Sequence, residues 1–104
     1  MARHALIIPW VGGVEVWHYH PPHTVQAELE SRSEGTYVQF TLAKDNQDLA
    51  IVHMLTGNDK AYPNRRARDV AVLLTGVHIA FTGNVAFTNL TESDLTDIME
   101  MFGR

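Results

Sequence analysis

Three histidines crowd the segment His18-Tyr19-His20-Pro21-Pro22-His23. Residues two apart on a strand point to one side, so His18 and His20 would share a face. His23, just past the Pro-Pro corner, can complete a facial set of ligands. Three imidazoles with an open position suit zinc, iron, nickel or copper, and Glu28 can add a carboxylate. The bland alternative is a solvated strand end whose histidines bind nothing. A metal ion is therefore the one cofactor to weigh against none.

Charge forms a second constellation. Lys60, Arg65, Arg66 and Arg68 occur without an acid between positions 60 and 68, and Glu92, Asp94, Asp97 and Glu100 without a base between 92 and 100. Cations in the first turn of a helix oppose its macrodipole, so local helix stability does not account for the arginines. Phosphate, a nucleic-acid backbone or an acidic protein face would. The acids have simpler reasons, since Glu92 and Asp94 suit a helix N-terminus while Asp97 and Glu100 suit a solvated face. If the basic segment of one subunit meets the acidic helix of another, the contact is heterologous and builds rings or filaments. Trp10 and Trp17 are candidate aromatic anchors for such an interface.

Other chemistry is thin. Ser31, Ser33 and Ser93 lack a Gly-x-Ser-x-Gly setting, and His53 and His78 sit in apolar segments that suit core histidines. With no cysteine, disulfide frameworks, thiolate metal sites and thiol catalysis are excluded. The net charge of -4 argues against coating nucleic acid through a global positive field. A local contact is still compatible with it. Leu, Ile, Val and Phe supply 28 of 104 residues, enough for one packed domain spanning 1–104. The apolar run from Val70 to Phe81 is broken by Thr75, Gly76 and His78 and is too short for a membrane span. A soluble, cytoplasmic protein without membrane contact is expected.

The elements that would position these groups follow from period and punctuation. Ala5–Val11 and Val14–His20 read as strands joined at Gly12-Gly13, a type I′ hairpin signal that needs positive φ at both glycines. Val25, Ala27 and Leu29 alternate with polar residues, as in a half-buried strand. Thr36–Leu42 alternates again, with Val38, Phe40 and Leu42 on the core side. Asp45 or Asn46 can cap a helix from Gln47 that ends before Gly57. Its apolar run from Leu49 to Leu55 equally fits a buried strand, and the caps favour the helix. Asn64 is a plausible N-cap for Arg65–Thr75, in which Ala67, Val70, Ala71 and Leu74 form one stripe closed by Gly76. Gly83-Asn84 then predicts a hairpin over Val77–Thr88. Thr91 and Asp94 form a capping box for a final helix with Leu95, Ile98, Met99 and Phe102 on its apolar side.

Two family resemblances bear on function. The spacing of Gly12, His18, His20, Glu28 and Gly35 resembles the metal motif of cupins, although Glu28 falls several residues late and a second motif is missing. Gly35–Phe40 with Ala43-Lys44-Asp45 and the segment to Gly57 resembles the third strand and second helix of an RNA-recognition motif. Val85–Leu90 with the last helix resembles that family's first strand and helix, in permuted order. That resemblance implies RNA binding by stacking, with Tyr37 matching one aromatic position and Gly35 and Ala86 standing at two others.

The expectation is an α+β domain of order ββββααββα, an antiparallel sheet of hairpins with helices packed on one face. Its leading function is a non-enzymatic interaction protein that self-associates, as a homo-oligomer, or binds another protein. The alternatives are a metal-dependent enzyme or small-molecule binder using His18, His20 and His23, and nucleic-acid binding through Lys60, Arg65, Arg66 and Arg68.

Overall fold

A computed structural model describes residues 4–18, 22–32, 36–44, 47–56 and 63–102. Its elements are β1 (His4–Ile8), β2 (Glu15–His18), α1 (Pro22–Arg32), β3 (Thr36–Lys44), β4 (Gln47–Thr56), α2 (Arg65–Thr75), β5 (Val85–Leu90) and α3 (Glu92–Phe102). The order is ββαββαβα, not ββββααββα. One five-stranded sheet runs β2-β1-β5-β4-β3, and every neighbouring pair is antiparallel. The last strand in sequence therefore sits in the middle of the sheet.

Helices cover both faces, which overturns the one-face expectation. Leu6, Ile8, Val85 and Phe87 point to the side of α2 and α3, where they pack with Val70, Leu74, Leu95 and Ile98. Ala5, Ile7 and Ala86 point the other way and meet Val25 and Leu29 of α1. A strand covered on both faces needs no polar alternation, and β1 is buried at every position.

The same reasoning corrects the 47–56 segment. It is strand β4, paired with β3 on one side and β5 on the other. Its run from Leu49 to Leu55, apolar but for His53, suits an interior strand with two covered faces. The caps read there, Asp45, Asn46 and Gly57, lie outside the described residues. This correction also removes the strand–helix pair on which the likeness to an RNA-recognition motif partly rested.

Residues 25–29 are helical, not a strand. Val25 and Leu29 are four apart, so one helix face buries both, while Ala27 between them is exposed. Pro22 opens α1, where a missing N–H costs nothing because that donor has no partner inside the helix. The predicted hairpin over 77–88 is also absent, since both sides of β5 are taken by β1 and β4. Val77–Phe81 instead runs without regular structure to an isolated bridge between Thr82 and Pro63. At the first turn only Gly12 has positive φ, +97°, so the connection is a longer loop and not a two-residue I′ turn.

Other expected features stand where the sequence places them. β1 pairs with β2, bringing Leu6 opposite Val16. All four residues of the α2 stripe are buried, and Gly76 closes that helix with φ 75°, its N–H donating to the carbonyl of Val72. The Thr91 hydroxyl accepts the Asp94 N–H at 3.1 Å, and the Asp94 carboxylate accepts the Thr91 N–H at 3.2 Å. Of the expected strand face, Leu42 is buried and Phe40 half-buried, but Val38 is exposed. Of the α3 stripe, Leu95 and Ile98 are buried and Phe102 is half-buried, whereas Met99 is 39% exposed.

A bulge interrupts β5 beside β1, where His4 pairs with Leu90 but Leu6 with Phe87. Asn89 absorbs the extra residue in a left-handed conformation, φ 64°. Asn tolerates that region and a β-branched residue does not. Asn89→Gly should leave thermal stability unchanged or raised, while Asn89→Val should cost about 1–2 kcal/mol. Urea unfolding of both variants checks this, and equal stabilities would contradict the bulge assignment.

Candidate functional site

Asn64 stands just before α2 and is 2% exposed. Its Oδ1 accepts the Ala67 N–H at 3.1 Å, which caps the helix. Its Nδ2 donates to the carbonyls of Ile8 and Gly83, both at 2.8 Å. Its backbone N–H donates to the Phe81 carbonyl at 2.9 Å. One buried amide thus joins the start of α2, the end of β1 and the entry to β5. Both Nδ2 hydrogens and the Oδ1 acceptor are engaged, as burial of a polar group demands.

Two residues further on, Arg66 reaches back over the β1–β2 loop. Its guanidinium donates to the Gly12 carbonyl at 2.6 Å and to the Pro9 carbonyl. The planar fork of arginine suits two acceptors held at fixed separation, which a lysine ammonium does not reproduce. The Trp10 N–H also donates to Asn84 Oδ1 at 3.4 Å. The loop is therefore fixed at both shoulders and at its tip. That tip is apolar and presented to solvent, with Trp10 44% and Val11 62% exposed.

The basic set now divides. Lys60 lies outside the described residues, and Arg66 is half-buried against carbonyls. Arg65 and Arg68 are exposed and line a cleft of about 230 Å³ with Pro63, Ile79, Phe81 and Thr82. Arg68 approaches Asp69 at 3.5 Å on the open surface, a contact of small energetic weight.

The acidic set divides likewise, because Asp94 is engaged in the capping box. Glu92, Asp97 and Glu100 are exposed. An open groove of about 480 Å³ is lined by His4, Glu92, Leu95, Thr96, Met99 and Glu100. A second, about 320 Å³, is lined by Leu73, Asp97, Glu100 and Met101. Glu100 is shared, so the outer face of α3 borders two grooves, each lined by apolar and acidic side chains.

Trp17 is half-buried and packs against the α1-side core. His18 ends β2 and His23 falls in the first turn of α1. Their side chains, and all of His20, lie outside the described residues, as does the side chain of Tyr37. Among the described residues no group of three or more His, Asp or Glu side chains is placed to hold a metal. His78 is exposed and not a core histidine. Among those residues, too, no helix is long and apolar enough to cross a membrane.

Sequence reasoning missed the junction at Asn64 and Arg66. A signal for it existed: an arginine in the first helical turn, unfavourable to the helix dipole, needs an acceptor elsewhere in the fold. The exposure of Met99 had no such signal.

Compared with protein-family models, curated proteins and solved structures, the chain matches none of them.

Asn64→Ala removes the cap and leaves two buried carbonyls without their donor, so it should cost about 3 kcal/mol. Arg66→Lys should cost about 1 kcal/mol, because only one of two charge-assisted bonds can be kept. Chemical denaturation midpoints of both variants measure these losses. A loss below about 1 kcal/mol for Asn64→Ala would show that the junction is not what holds these segments together.

Proposed function

We propose that this chain is a non-enzymatic interaction protein that self-associates through the Trp10–Val11 tip and the neighbouring arginines. The observation that carries the reading is the fixing of an exposed aromatic tip. Arg66 holds the two carbonyls that flank Trp10 and Val11, and Asn84 accepts the N–H of Trp10 itself. A loop whose backbone is already held loses less freedom on binding, and ordering of loops and side chains is one of the costs that weaken association.

Composition supports the same reading. Trp and Arg are the residues most enriched at energetic centres of protein interfaces. Arg65 and Arg68 extend from the helix whose Arg66 holds the tip. Nucleic acid is the less favoured partner. Of four basic residues, Arg66 faces backbone carbonyls, and Arg68 shares its surface with Asp69.

Sedimentation velocity over a concentration series, at low and high salt, tests the proposal. The chain should exceed monomer mass at low salt and lose part of that association as salt screens the arginines. Trp10→Ala should weaken association by about 2 kcal/mol, roughly 30-fold in dissociation constant. A strict monomer at every concentration and salt would overturn the reading.

A further inference from the structure

The tip and the larger α3 groove lie at opposite ends of one strand. His4, the first residue of β1, lines the larger groove. Four residue steps along β1 carry the chain about 13 Å to Ile8, and Pro9 and Trp10 lead on to the tip. None of the residues lining the basic cleft lines either acidic groove. Within one chain the two surfaces are therefore separate.

Between chains they are complementary. One surface offers an apolar tip whose backbone is held by Arg66, with Arg65 and Arg68 exposed on the same helix. The other offers apolar floor from Leu95 and Met99 and acidic rim from Glu92 and Glu100. The groove is roomy enough for an aromatic side chain, at about 480 Å³. Met99 is a fitting floor residue, because its unbranched thioether adapts to an inserted ring and makes favourable sulfur–aromatic contacts.

We infer that the occupant of the α3 groove is the Trp10–Val11 tip of a second copy, with Arg65 and Arg68 of that copy facing Glu92 and Glu100. The inference rests on the self-association proposed above and names its second surface. Because tip and groove are different patches, a single contact leaves one copy with its groove unused and the other with its tip unused. Such a heterologous contact repeats until it closes a ring or extends as a filament.

Charge reversal tests it. One variant carries Arg65→Glu and Arg68→Glu, a second carries Glu92→Lys and Glu100→Lys, and a third carries all four changes. All four side chains are exposed, Arg68 with its surface contact to Asp69, and melting curves confirm that each variant folds. Light scattering should show the unaltered chain growing past two copies with concentration. The first two variants alone should lose association at least tenfold. Their equimolar mixture, and the four-change chain, should recover it, since each restores opposite charge across the contact.

If the unaltered chain does not associate, the functional reading fails and this inference with it. If it associates and Trp10→Ala weakens it, but the Glu92 and Glu100 changes leave it untouched, only this inference is overturned. A mass that stops at two copies, or a four-change chain that folds but stays dissociated, also overturns it.

Discussion

The buried amide of Asn64 is the constraint on which the rest of the presented surface depends. It has three side-chain partners in three different segments, Ala67, Ile8 and Gly83. Asparagine can serve all three because it carries two donors and an acceptor on one planar group. Serine would cap the helix about as well but could not donate to two carbonyls at once. Fixing the start of α2 against the end of β1 then puts Arg66 within reach of the Pro9 and Gly12 carbonyls. The helix dipole disfavours a cation there, and two charge-assisted hydrogen bonds outweigh that modest cost.

Central placement of β5 has a second consequence. β1 and β4 flank it in the sheet and helices cover both faces, so the central strands are largely apolar. Polar chemistry is pushed to the strand ends, where the β1–β2 loop and the start of α2 lie at one end of β1 and His4 with α3 at the other. The opposed charges sit at these two ends, with Asp94 and Arg66 withdrawn from each set for structural work.

What was legible in the sequence was local. The capping box at Thr91 and Asp94, the N-cap at Asn64 and the stripe from Ala67 to Leu74 are set by contacts within a few residues, and each appears in the structure. What was not legible was decided by distant partners. Leu49–Leu55 reads as helix or strand until its two neighbours are known. Val25–Leu29 satisfies both a period of two and a spacing of four, and packing on Ala5, Ile7 and Ala86 selects the helix. Gly83-Asn84 has the chemistry of a hairpin, but no strand edge was left for its partner. At the site, residue types were visible and their division was not. Nothing in the order of Arg65, Arg66 and Arg68 says which one turns inward.

Hydrogen–deuterium exchange of the unaltered chain, compared at dilute and concentrated protein, tests the central claim most directly because it reads both surfaces in one experiment. The account predicts that concentration slows exchange in two separated segments, the Pro9–Gly12 loop with the start of α2, and α3 around Glu92–Glu100. Slowing confined to β3, or absent from the Trp10 loop, would contradict it.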